Sequence, residues 1–215
     1  MPRPRFQKLP DGRQKQIFEI AAKEFAANGF EGASLNRILE EAEVSKGAAY
    51  YYFDDKADRL GTAVLYFSRD IVDKFVADLK RSSADNFWSE LSRMSSEIQK
   101  VYSEYPWFLN LGKEVWRLPK EVRTDGPLGE ASALGRHFFE TLLKHGQKIE
   151  AIRTDMPEDF LISVVLGIGE AGDSWIVEHW NEFENPHAEV VRNHQRTLEM
   201  LRKVLEPSLT LDAKK

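Results

Sequence analysis

Ser34-Leu-Asn-Arg-Ile-Leu-Glu-Glu-Ala-Glu-Val-Ser-Lys-Gly-Ala-Ala-Tyr-Tyr-Tyr-Phe-Asp-Asp-Lys-Ala-Asp-Arg-Leu60 reads as two short helices joined by a turn. Ser34 supplies a hydroxyl that accepts from the free N–H groups of a first helical turn. Leu35, Ile38, Leu39 and Ala42 follow at helical spacing, so one face of this helix is core. Glu43-Val44 makes the turn, with Val44 as the apolar plug between the helices. Ser45 caps a second helix running from Lys46 to Phe53.

In that second helix Gly47, Ala48 and Ala49 carry almost no side chain, so its N-terminal end can be pressed against another surface. A helix N-terminus exposes N–H groups and the positive end of the dipole, which favour phosphate, and Lys46 adds a full charge. Tyr50, Tyr51 and Tyr52 offer hydroxyls to phosphates or bases, and Lys56 lies a turn beyond as a further phosphate contact. Phe53 is expected to pack inward. The segment is therefore expected to be a helix-turn-helix that enters the major groove of DNA. An unrelated helical hairpin would have to combine both caps, the run of small residues and the terminal Tyr/Phe/Lys order by coincidence.

These residues resemble the DNA-binding domain of the TetR family of transcriptional regulators. The resemblance is carried by Asn28-Gly29-Phe30, Ser34, Ile38, Val44-Ser45-Lys46-Gly47, Tyr50, Phe53 and Lys56, and covers residues 13–60. It implies that DNA is contacted by Asn36, Ser45, Lys46, Gly47, Ala48, Tyr50, Tyr51, Tyr52 and Lys56. Two positions depart from the family pattern. Glu43 stands where a turn glycine is usual, so a positive φ there costs about 1 kcal/mol. Asn36 stands where arginine is common, which moves the expected base preference from guanine toward adenine.

The chain has 215 residues, 42% of them apolar, enough for a packed core. It has no cysteine, which excludes disulfides, thiol catalysis and Cys-based zinc sites. No uninterrupted apolar run reaches the roughly 18–20 residues that cross a bilayer, and the start is too polar for a secretory segment, so a soluble cytoplasmic protein is expected. The net charge of −5 is unevenly distributed: residues 1–60 hold ten Lys/Arg and ten Asp/Glu, and the remainder twenty and twenty-five. The acidity thus belongs to the larger part. Arg3, Arg5 and Lys8 form either a basic arm that follows DNA or a frayed terminus.

The pattern predicts an all-α chain of about nine helices in three segments: 1–58 as the DNA-binding domain, 59–207 as a larger helical domain and 208–215 as a tail. Asp11 is expected to cap a first helix that ends at Asn28-Gly29. A long helix follows from about Asp55 to Arg81, with further breaks at Ser82-Ser83, Tyr105-Pro106, Asp125-Gly126-Pro127 and Asn185-Pro186. Asp155 is expected to cap the next-to-last helix, with Pro157 in its first turn.

The family resemblance further implies a homodimer formed by the last two helices, here through Val164, Ile168, Gly172, Val191, His194, Leu198, Leu201 and Leu205. It also implies an effector cavity in the larger domain. The aromatics on the corresponding helices are Trp88, Tyr102, Trp107, Phe108, Trp116, Phe138 and Trp175, with His137 and Glu170 as polar candidates. The expected partners are double-stranded operator DNA, a second copy of the chain and a small apolar or aromatic effector. The expected function is that of a regulator, most often a repressor, released from a palindromic operator. A constitutive DNA-binding adaptor whose larger domain holds another protein is the alternative. The five histidines form no metal or catalytic signature, and no phosphate loop or nucleophile elbow is present, so neither an enzyme nor a cofactor is expected.

Overall fold

The computed structural model describes residue 6, residues 8–45, residue 47 and residues 55–207. Among these residues there are nine α-helices, one 3-10 turn and no strand. The helices are α1 (Asp11–Gly32), α2 (Leu35–Glu41), α3 (Lys56–Arg81), α4 (Phe87–Glu104), α5 (Pro106–Arg117), α6 (Lys120–Arg123), α7 (Gly126–Lys148), α8 (Glu158–Glu178) and α9 (Pro186–Leu205). The expected recognition helix, 46–53, lies outside the described residues except for Gly47. The chain divides into two compact units, Met1–Ile71 with Val101–Leu134, and Val72–Lys100 with Gly135–Lys215. Residue 58, expected to end the DNA-binding domain, falls inside the first unit.

The first unit is organised around α1. Ile17, Phe18, Ala21, Ala22 and Phe25 repeat at helical spacing and are buried together with Phe6, Ile38, Ala42, Leu60, Ala63 and Leu111. Pro10, not Asp11, occupies the cap position, and Asp11 is instead a first-turn acid facing the helix dipole. Gly29 interrupts the helix as expected, with φ 70 and ψ 173, but the chain resumes a last turn to Gly32. A side chain is disfavoured there: the φ is strained for L residues, and a Cβ would lie 3.0 Å from Glu114 Oε2 on α5, a contact tight enough that this carboxylate would have to shift. That carboxylate is buried, with Arg117 Nη1 at 3.0 Å and Lys113 Nζ at 3.4 Å.

Helix α5 begins with Pro106 in its first turn and packs along α1. Trp107 meets Phe67 of α3 edge to face at 5.2 Å between ring centroids. Asp55 caps α3, its Oδ1 accepting from the Asp58 N–H at 2.8 Å. The short α6 was not expected from the pattern. Its four residues between Pro119 and Thr124 are too few to show helical periodicity.

In the second unit Phe75, Leu79, Phe87, Leu91, Leu143, Ile152, Leu161, Val165, Leu201 and Leu205 are buried. Arg93 of α4 pairs with Asp78 at 2.7 Å and Glu90 at 2.8 Å and also with Glu97, which Lys74 reaches at 2.7 Å. This network ties the end of α3 to α4. The loop after α7 differs from expectation. Pro157 takes the cap position of α8, while Asp155 accepts two hydrogen bonds from Arg153, at 2.7 and 2.6 Å. The Arg153 backbone N–H donates to Leu205 O at 2.8 Å and its Nη1 to Val204 O at 3.3 Å. A cation is thereby fixed at the C-terminus of α9, where the unpaired carbonyls favour it. Asn185 caps α9 as its position before Pro186 implies, its Oδ1 accepting from Ala188 N at 3.0 Å.

Helix α8 contains an 18-residue window of mean hydropathy 1.5, long and apolar enough by composition to cross a membrane, with 22% of it buried. The run is not uninterrupted, since Glu170 and Asp173 lie within the helix.

Glu43 adopts φ 50, in the left-handed region. The turn is nevertheless held: Arg13 of α1 donates to the carbonyl of Ala42 and, at 3.3 Å, to that of Glu43. The Val44 N–H donates to Leu39 O at 2.8 Å. Replacing Glu43 with glycine removes the backbone penalty while keeping both carbonyls, so Glu43→Gly is expected to raise unfolding stability by about 1 kcal/mol in denaturant titration. A loss of stability would show that the Glu43 side chain contributes more than its backbone costs.

Candidate nucleic-acid interface

The Glu24 carboxylate joins α1 to α2. It accepts from the Ser34 N–H at 2.7 Å, from Arg37 Nε at 2.9 Å and Nη2 at 2.5 Å, and from Asn28 Nδ2 at 3.0 Å. Arg37 Nη2 also donates to Gly32 O at 3.1 Å. Burial alone would raise the Glu24 pKa. The hydrogen bonds from Arg37 and Ser34, the Arg37 charge and Asn28 outweigh it, so the carboxyl sits below its ordinary value of 4.5. Ser34 caps α2 as expected, its hydroxyl accepting from Arg37 N at 3.4 Å. Buried Ile38 and Leu39 fix the opposite face of the helix.

Asn36, between the cap and the clamping arginine, is exposed. Ser45 and Gly47 are also exposed, and a Cβ at Gly47 would meet no atom within 4 Å. Val44 packs against the core of the first unit, which is the role its plug position implies. Lys56 Nζ donates to Glu31 O at 2.7 Å and lies 5.3 Å from the Phe30 ring centroid. An ammonium carries three donors, so this bond leaves capacity for a phosphate. Lys46, Ala48, Tyr50, Tyr51 and Tyr52 lie outside the described residues.

The expected effector residues fall in both units. In the first, Tyr102, Trp107 and Phe108 pack ring against ring, at 6.2 Å for Tyr102–Phe108 and 5.9 Å for Trp107–Phe108. The Trp116 ring lies 4.4 Å below the Arg123 guanidinium. In the second, Phe138 packs on Phe139 at 5.4 Å, His137 and Glu170 are exposed, and Trp175 stacks on His179 at 5.0 Å while 40% exposed. Trp88 borders a cleft between α4 and α9 together with Gln99, Gln195, Leu198 and Arg202.

Of the expected dimerisation residues, Val164, Ile168, Val191, His194 and Leu198 are half-buried. Leu201 and Leu205 are buried within the second unit. Gly172 faces α9 of its own chain, where a Cβ would lie 3.0 Å from Asn193 Nδ2 and 3.2 Å from Thr197 Oγ1. Beside it, burial pushes the Asp173 carboxyl up to about 6, and burial also lowers the His194 imidazole.

Sequence reasoning missed Glu24, Arg37, Arg13 and Glu114, which hold the interface helices without being exposed motif residues. No short-range spacing marks the contacts that matter, since Glu24 meets Ser34 and Arg37, Arg13 meets Ala42 and Glu43, and Glu114 meets Gly29.

Residues 17–59 match the sequence profile of the family described as bacterial regulatory proteins, tetR family. The chain is 25% identical over 146 residues to the HTH-type transcriptional regulator YuxN of Bacillus subtilis (strain 168), covering 67% of this chain and 50% of that protein. It is 39% identical over 49 residues to the HTH-type transcriptional repressor SCO4008 of Streptomyces coelicolor, 23% of this chain and 26% of that protein. The matched stretches thus span half of these curated relatives or less. Among solved structures, FadR from Bacillus subtilis in complex with stearoyl-CoA superposes with a TM-score of 0.68 over 88% of this chain and 97% of that one, at 18% identity. The likeness to FadR is therefore one of fold.

Glu24→Gln keeps the shape of the clamp and removes its charge, and is expected to cost about 1 kcal/mol at neutral pH. Because the folded carboxyl has a lowered pKa, its contribution is present above the ordinary value of 4.5 and is lost as pH falls through the folded value. Denaturant titrations of both proteins across this range should show the difference shrinking in acid. A difference that did not change with pH would assign the effect to packing.

Proposed function

We infer that this chain, which belongs to the TetR family of bacterial regulatory proteins, is a sequence-specific DNA-binding transcriptional regulator that acts in the cytoplasm. It works as a homodimeric repressor released from a palindromic operator by a small aromatic or apolar effector. The observation that carries the reading is the clamped helix pair within the family-matched residues 17–59. Glu24 and Arg37 hold the start of α2 so that Asn36 faces outward, and the chain runs on into Val44-Ser45-Lys46-Gly47 and three tyrosines. A rigid, polar, outward-facing reader is what base recognition requires, while Lys46, Lys56 and the tyrosine hydroxyls supply phosphate contacts.

Dimerisation is supported by the surface of α8. Phe160 is 53% and Trp175 40% exposed, Gly167 and Ala171 are exposed, and Val164 and Ile168 are half-buried along the same helix. An apolar stripe of this length on a folded unit calls for a partner. A second copy is the simplest one, because a two-fold axis also doubles the number of base pairs read. Glu170 and Asp173 on the same helix argue against a bilayer as the partner.

The effector acts by favouring a dimer whose recognition helices no longer fit successive major grooves. Each ligand then weakens the other's binding by the same factor.

Selection of sites from random duplex DNA by the purified protein, at fixed and near-physiological salt, tests the reading. A palindrome enriched by the wild type and bound at least about tenfold more weakly by Tyr51→Ala is the expected result; no enriched sequence would overturn it. For the dimer, the double variant Val164→Glu/Ile168→Glu should sediment at 24.7 kDa where the wild type sediments at twice that mass. Its operator affinity should fall by about a hundredfold or more as the second half-site is lost. A wild type that sediments as a monomer and still binds its palindrome would rule the dimer out.

A further inference from the structure

The cleft between α4 and α9 lies entirely within the second unit and owes its size to short side chains. Leu91 and Met94 of α4 are buried in the core, while the neighbouring face presents serines at positions 92, 95 and 96. Hydroxymethyl groups do not fill the space to α9, and a cavity of about 330 Å³ results. That volume is at the lower end of small-ligand pockets, enough for a molecule of about a dozen heavy atoms.

Two of the serines are satisfied locally: Ser92 Oγ donates to Trp88 O and Ser96 Oγ to Ser92 O, each at 3.0 Å. Ser95 differs, since its Oγ is out of solvent and makes no hydrogen bond. That hydroxyl is enclosed in the wall and offers the cleft no exposed oxygen, so the groups that face a ligand are those of the other lining residues.

The remaining wall gives the chemical class. Arg202 and Glu199 of α9 place one positive and one negative group on the cleft. The Arg202 guanidinium lies 5.8 Å from the Trp88 ring centroid, and its Nε donates to Glu206 Oε1 at 2.6 Å. A guanidinium has five donors, so most of its capacity remains. Gln99 and Gln195 each bring an amide that donates and accepts, and Trp88 brings a flat apolar surface. With one charge of each sign on the lining itself, the cleft suits a molecule carrying both charges and a planar body.

We propose that the α4–α9 cleft is the effector site and takes a small zwitterion of the aromatic α-amino acid class. Its carboxylate meets Arg202, its ammonium meets Glu199, and its ring lies along Trp88. The proposal rests on the sensor reading given above and deepens it.

The full-length protein, without DNA, is titrated by calorimetry with L-phenylalanine, L-tyrosine, L-tryptophan and L-histidine, and with phenethylamine and 3-phenylpropionate as forms lacking one charge. At least one amino acid should bind, and each singly charged analogue of phenylalanine should bind about tenfold more weakly than the amino acid or worse. Glu199→Gln should leave binding of 3-phenylpropionate, which has no ammonium, unchanged yet weaken amino-acid binding about tenfold, a split that a purely structural carboxylate would not produce. Arg202→Leu should weaken it further. No binding by any of the amino acids up to about 10 mM, equal binding of the singly charged analogues, or unchanged affinity in both variants would overturn the proposal. Operator binding by the same preparation separates the failures. A protein that binds its operator but none of these compounds keeps the DNA-binding reading and loses this one. An amino acid that binds without altering operator affinity supports the binding site and removes its role as the effector site.

Discussion

A single carboxylate, that of Glu24, makes α1 and α2 one body. A seven-residue helix such as α2 cannot hold itself in water, because nucleation costs more than so short a ladder returns. It persists because its cap residue donates a backbone N–H to Glu24 and its third residue, Arg37, donates two N–H groups of its guanidinium to the same acid. Apolar burial of Ile38 and Leu39 sets the face that turns inward; the clamp sets where along α1 the helix begins. Base recognition tolerates little play, so the polar fixing of α2 matters to function beyond its contribution to stability.

The other end of α1 shows the same division of labour. Gly29 breaks the helix with a backbone conformation that other residues adopt at a cost, and the buried Glu114 carboxylate sits close enough that a Cβ there would push against it. Arg117 and Lys113 keep that acid paired. The break lets the chain turn toward α2, and Glu24 then receives what the turn delivers. Arg13, one helix length earlier, holds the carbonyls of Ala42 and Glu43 where the chain leaves α2. Three charged residues, each reaching a segment distant in sequence, thus fix the entry, path and exit of a short helix.

That distance in sequence explains what was and was not legible in the chain. Helix existence followed from periodicity: the buried stripes of α1 and α2 and the cap Ser34 lie within a turn of what they stabilise. Asp155 was misread for a related reason. An acid two residues before a proline looks like a cap, but Arg153 competes for it, and that arginine is positioned by carbonyls of α9 some fifty residues later. The aromatics were the hardest to assign, since a ring at helical spacing fits a core as well as a ligand wall, and Trp107 against Phe67 is core packing. The α4–α9 cleft was nearly invisible because serines mark it, and serine at a helical position ordinarily signals solvent.

The size of that cleft constrains how an effector could work. Shifting a two-state equilibrium from one part in a hundred to ninety-nine requires about 5.5 kcal/mol of differential affinity. A ligand of about a dozen heavy atoms, at roughly 0.3 to 1 kcal/mol per atom, has about 4 to 12 kcal/mol of binding energy in all. One such ligand would have to spend roughly half of its affinity or more on the conformational change. Two ligands, one in each copy of a two-fold dimer, need to supply only about 2.8 kcal/mol each, which is within the usual range of allosteric coupling. The proposed effector site and the proposed dimer are thus energetically matched: a second copy would halve the demand on a cavity of about 330 Å³ and double the base pairs that are read.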